Sequence, residues 1–104
     1  MTGIGGCRSS GTFTADTLIV SGKGKLISIH AMALADSEAY VQVYDGTSAS
    51  GTIIGILYVG GTAPTTNAPA SSEADMHGVY FTTGLYADVT HVTNTNSMFT
   101  IEYN

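Results

Sequence analysis

The stretch from Leu26 to Val59, LISIHAMALADSEAYVQVYDGTSASGTIIGILYV, restricts the fold of this chain more than any other. It consists of three apolar runs joined by two polar turns. In the first run Ile27, Ile29, Ala31 and Ala33 alternate with Ser28, His30 and Met32. In the second, Val41 and Val43 alternate with Tyr40, Gln42 and Tyr44. A helix would return apolar residues every three or four positions, whereas a period of two puts them on one face of a pleated strand. Asp45-Gly46 then opens a hairpin-type turn, and Ile53 to Val59 is apolar nearly throughout. Three short antiparallel strands are predicted here. A helical alternative over Met32 to Tyr40 draws on its alanines, but it is short and uncapped, and the strand reading is preferred.

The rest of the chain follows the same grammar. Residues 1–11 form a Gly/Ser-rich arm whose only sizeable side chains are Ile4, Cys7 and Arg8, and residues 12–104 are expected to be one β-domain. Thr12 to Val20 is a strand candidate in which Phe13 and Ala15 share one parity and Leu18 and Val20 the other, so a bend or bulge is expected near Asp16. Ser21-Gly22-Lys23-Gly24 is a turn leading to the strand Lys25 to Leu34, and Asp36-Ser37-Glu38 leads to Ala39–Tyr44. In the run Ile53 to Val59, Gly55 marks a bulge or a close backbone approach. Gly60 to Ser72 holds Pro64 and Pro69 and is expected to be an exposed crossover loop. Glu73 to Thr82 places Val79 and Phe81 on one face, and Leu85, Ala87 and Val89 alternate with Tyr86, Asp88 and Thr90. After the turn at Thr93-Asn94-Thr95-Asn96, Phe99, Ile101 and Tyr103 alternate with Met98, Thr100 and Glu102. Seven or eight short strands with regular turn signals predict a single-domain antiparallel β-sandwich, jelly-roll-like in form.

Charge narrows the function classes. Arg8, Lys23 and Lys25 are the only basic residues and the net charge is −5, so a run of phosphates cannot be neutralised. Neither nucleic acid nor an anionic membrane surface is expected as a partner. No apolar run reaches the length of a spanning helix, and MTGIGGCRSS lacks the charged start and apolar core of a signal peptide. With charged residues at 11%, the surface is built from small neutral side chains, which suits close packing against other protein. Cys7 is the only cysteine, so it has no partner within the chain.

No constellation carries a catalytic or metal signature. His30, His77 and His91 lack ligand spacing, and no metal or cofactor is expected. The acidic pairs Asp36/Glu38 and Glu73/Asp75 fall at turns and strand starts, where solvated carboxylates are ordinary. None of the nucleophile-elbow, zincin or phosphate-loop motifs occurs, and the chain is expected not to be an enzyme. The six tyrosines remain: Tyr40 and Tyr44 share a strand face, a placement used both at protein interfaces and for stacking sugars.

In AYVQVYDGTSASGTIIGILYV followed by GVYFTTGLYADVTHVTNTNSMFTIEY, the chain resembles small virion structural proteins of tailed bacteriophages, especially marine and cyanobacterial ones. Tyr40–Gly46, Gly78–Leu85 and Met98–Tyr103 carry the resemblance, which spans roughly residues 26–104 and leaves out the arm. It implies a β-sandwich building block present in many copies on the virion, as a capsid decoration or cement protein. Such proteins are commonly homotrimers that clamp adjacent major capsid subunits. A neck, tail or appendage subunit, or a carbohydrate-binding sandwich, is the alternative. Ile4, Cys7, Arg8, Phe13, Tyr40 and Tyr44 are the expected partner-contact residues.

Overall fold

The computed structural model describes residues 7–34, 36–60 and 70–104, and every helix or strand among them is a strand. In chain order these are β1 (Arg8–Ser9), β2 (Thr17–Ser21), β3 (Gly24–Ala33), β4 (Glu38–Asp45), β5 (Thr52–Gly60), β6 (Ala70–Phe81), β7 (Gly84–Thr93) and β8 (Ser97–Tyr103). They form two four-stranded sheets, ordered β1-β8-β3-β6 and β2-β7-β4-β5, with antiparallel pairing throughout. First strand pairs with last, second with seventh, third with sixth and fourth with fifth. The chain is thus one long hairpin bent over itself until β8 also meets β3 and β7 meets β4. That connectivity is the jelly-roll form of the β-sandwich, the class that the alternation predicts.

Both inner faces supply the core. Leu26, Ile29, Ala31, Ala33, Phe81, Phe99 and Ile101 come from the first sheet, and Ala39, Val41, Val43, Val59, Leu85 and Ala87 from the second. β4 and β8 keep their predicted parity to the residue. Around Asp16 the chain does bend, and it also changes sheet. Phe13 bridges Phe99 in the first sheet, with the two rings stacked 6.1 Å apart, whereas β2 lies in the second sheet. The Asp16 carboxylate fixes the crossing by accepting the Val89 N–H at 2.8 Å.

β3 departs from simple alternation. Leu26 and Ile29 are both fully buried although three positions apart, so Ile27 does not belong to the inward set. β6 explains the change: Leu26 pairs with Val79 and Ser28 with Asp75, leaving Met76, His77 and Gly78 opposite the single residue Ile27. His77 and Gly78 take φ of 54° and 79° to fit them in. At Gly55 both expectations hold. Ile54 is the extra residue of a bulge, and a Cβ on Gly55 would lie 3.1 Å from the side chains of Ile29 and Leu26.

The crossover loop is shorter than expected. Gly60 ends β5, and Ala70, Ser71 and Ser72 open β6 by pairing with Ala33, Met32 and Ala31, while Pro64 and Pro69 lie outside the described residues. Within the expected arm, Arg8 and Ser9 pair with Tyr103 and Glu102, and Ile4 lies outside the described residues. At the opposite end of β4, the Asp45 carboxylate accepts the backbone N–H groups of Thr82 (3.0 Å) and Thr83 (2.9 Å), tying β4 to the β6–β7 turn.

Candidate functional site

The two outer faces of the sandwich differ in chemistry. On the first sheet the outward residues midway along β3 are polar and acidic, with His30 between Thr100 and Glu73 and Ser28 between Glu102 and Asp75, while Met32 beside Met98 and the exposed Tyr80 stand toward the two ends. On the second sheet Tyr40 lies between Tyr58 and Thr90, Gln42 between Ile56 and Asp88, and Tyr44 between Ile53 and Tyr86, with Leu18 beyond Tyr86. Ile56 is 65% exposed, Tyr58 55%, and Ile53 and Leu18 44% each. Scattered apolar residues on a surface need no explanation, but a contiguous group does.

The cause lies in β5. A sandwich gives each strand one inner face, and Gly55, Leu57 and Val59 use that of β5 by packing toward the core. The intervening apolar residues therefore face outward, with no third layer among the described residues to cover them. A continuous apolar run in a two-layer domain was the signal for Ile53, Ile56 and Tyr58, and alternation alone misses it.

Local polar contacts fix this surface. The Tyr58 hydroxyl donates to Glu38 Oε2 at 2.5 Å, a bond that raises the phenol above its ordinary pKa. Gly60 stands opposite Glu38, and a Cβ there would run into the Tyr58 ring. Tyr40, Gln42, Ile56, Leu57 and Tyr58 line a shallow depression. At its far side Asp88 is pushed up from the usual carboxylate range, first by burial and then by the charge and hydrogen bond of the Asp16 carboxyl.

Two of the expected contact residues, Tyr40 and Tyr44, belong to this face. Cys7 and Arg8 are exposed but lie on or beside β1 of the other sheet. Phe13 is a correction: it is 9% exposed and packed on Phe99, because the chain crosses between sheets there.

The histidines do not converge. His30 lies on β3, His77 on the β6 bulge and His91 on β7 of the other sheet, where its Nε2 donates to the Thr14 carbonyl at 2.6 Å. Among the described residues no group of three His, Cys, Asp or Glu side chains is placed to hold a metal ion. Ser28, His30 and Glu102 do meet, and superficially they resemble a hydrolytic triad. Their geometry is wrong for one. Ser28 Oγ donates to Glu102 Oε1 at 2.6 Å, and both groups face the same ring nitrogen, His30 Nε2, at 3.1 and 3.4 Å. A relay needs the hydroxyl on one nitrogen and the carboxylate on the other. The cluster instead holds Glu102 below the usual carboxylate range, chiefly through the Ser28 hydroxyl and then through His30.

Comparison of this chain with protein-family models, with curated proteins and with solved structures gave no match.

Proposed function

We propose that this chain is a non-enzymatic virion structural protein of a tailed bacteriophage, a decoration protein that docks on the assembled capsid lattice and stabilises it. The observation that carries this reading is the outer face of β4 and β5, where Tyr40, Tyr44, Ile53, Ile56 and Tyr58 lie side by side with no other layer among the described residues above them, the mark of a chain that packs against other protein in an assembly. The sequence resemblance to small phage virion proteins supplies the setting, and its segments fall on β4, the β6–β7 turn and β8.

The mechanism is passive. A ligand that binds the assembled shell and not its dissociated subunits stabilises each site by RT ln(1 + [L]/Kd), about 2.7 kcal/mol at a hundredfold excess over Kd. Several weak contacts within one assembly multiply through effective concentration, so no single face has to be large. Particles lacking the protein should lose DNA at lower temperature and under milder osmotic shock than complete ones. Equal resilience of the two would remove the proposal.

A second reading keeps the virion and moves the chain to a neck, tail or host-attachment appendage. The depression between Tyr40 and Tyr58 favours it, since aromatic faces beside an amide and a carboxylate, here Gln42 and Glu38, suit a sugar ring. Binding of purified protein to a glycan array, lost on replacing Tyr58, would select this reading.

A further inference from the structure

We infer that the outer face of β4 and β5 is a self-association surface, on which a second copy of this chain packs sheet against sheet about a twofold axis. This rests on the reading of the chain as an assembly subunit and names what covers its apolar face.

Three observations select a second copy. The first is charge. The chain carries a net charge of −5, so two copies repel over most of their surfaces. The patch formed by Tyr40, Gln42, Tyr44, Ile53, Ile56 and Tyr58 holds no ionisable carboxylate or amine, and Glu38 and Asp88 stand at its border. It brings fewer carboxylates together than the outer face of the other sheet, where Glu73, Asp75 and Glu102 stand.

The second is self-complementarity. Gln42 lies midway along β4, with Tyr40 and Tyr44 along the strand, Ile56 across it on β5 and Asp88 across it on β7. An amide is donor and acceptor at once, so two copies of Gln42 related by a twofold satisfy one another. The apolar residues around it would then exclude water from the pair.

The third is size. A fully exposed side chain of this class presents on the order of 200 Å². At 65%, 55% and 44% exposure, Ile56, Tyr58 and Ile53 contribute roughly 300 Å². The half-buried Tyr40, Gln42 and Tyr44 bring the patch to roughly 450 Å², or about 900 Å² over two copies, below the ~1,200–2,000 Å² of standard interfaces. The contact is therefore weak and reversible. A trimer, which the family resemblance implies, would need a head-to-tail contact that leaves Gln42 without its own copy opposite.

Sedimentation equilibrium of the purified full chain, from ~10 μM to ~1 mM, is the test. A monomer–dimer equilibrium is expected for the wild type. Gln42→Glu and Gln42→Lys, each alone, should weaken it by about tenfold or more, because like charges then face each other. An equimolar mixture of those two variants should associate again. Thr100→Glu, on the outer face of the other sheet, should leave the equilibrium unchanged, and circular dichroism checks that every variant is folded. A monomer throughout, a trimer, a dimer indifferent to Gln42, or a mixture that stays monomeric would each overturn the inference. Dimers that ignore phage heads would leave this contact standing and remove the decoration reading; heads bound by a strictly monomeric chain would do the reverse.

Discussion

Ile56 and Leu57 are neighbours on one strand with opposite surroundings, and replacing each by alanine separates folding from assembly. Leu57 pairs with Val41 and packs against the core, whereas Ile56 is 65% exposed opposite Gln42. Truncating a fully buried leucine or isoleucine costs about 2–5 kcal/mol. Leu57 is only partly buried, so Leu57→Ala should fall at the low end, about 2 kcal/mol. Domains of this size hold about 5–15 kcal/mol in total and lose about 4–8 °C in Tm per kcal/mol. Leu57→Ala should therefore lower Tm by roughly 8–16 °C, and Ile56→Ala by less than about 4 °C, since exposed substitutions stay within about 0.5 kcal/mol. Urea melts at micromolar concentration, where a weak self-contact contributes little, should show midpoints moving without a change in slope. Association at millimolar concentration should rank the variants the other way, with Ile56→Ala the weaker self-associator. If both variants lost equal stability, or Ile56→Ala lost more, the register of β5 would be off by one residue and the face built on it would dissolve.

Further expectations concern the core, the carboxylates and one glycine. Phe99→Ala should cost about 3–5 kcal/mol, and a double-mutant cycle with Phe13→Ala, read from urea melts, should return a coupling of about 0.5–1.5 kcal/mol for the stacked pair. Asp45 is held below its ordinary range by the Thr83 and Thr82 amides, and Glu102 by Ser28 and His30. The stability they contribute is complete above the ordinary carboxylate pKa of about 4 and is lost as pH falls through their lowered folded values. Asp88 acts in the opposite sense: its raised folded value makes stability fall as pH climbs from its ordinary range through the raised one. Tm measured against pH should thus rise from strongly acid solution, and Asp88→Asn should remove the opposing component. Gly24→Ala should destabilise by about 1–3 kcal/mol, because a Cβ there would stand 2.6 Å from the Asn104 carbonyl oxygen and 2.7 Å from the Phe81 ring. An unchanged denaturation midpoint for that variant would refute the close approach.

Side chains that alternate without interruption were readable from the sequence. β4 and β8 keep one parity from end to end, and their inward sets, Val41 with Val43 and Phe99 with Ile101, are fully or almost fully buried. What escaped reading involves residues whose placement depends on another strand. Ile27 leaves the inward set because β6 inserts three residues opposite it, one of them a histidine at positive φ, and nothing within β3 announces this. Thr12 to Val20 reads as one bent strand, yet its halves join different sheets, a choice set by the Phe13–Phe99 stack and the Asp16 bond to Val89. Part of the candidate site was legible in Tyr40 and Tyr44. Ile53, Ile56 and Tyr58 were hidden in a run that looks like core until the number of layers is known.

The most direct test of the proposed role is the copy number of this chain per major shell subunit, by quantitative mass spectrometry of purified phage particles. Decoration of the lattice predicts a fixed small-integer ratio, with hundreds of copies per particle. A dozen copies or fewer would move it to the neck or tail, and its absence from washed particles would contradict a structural role altogether.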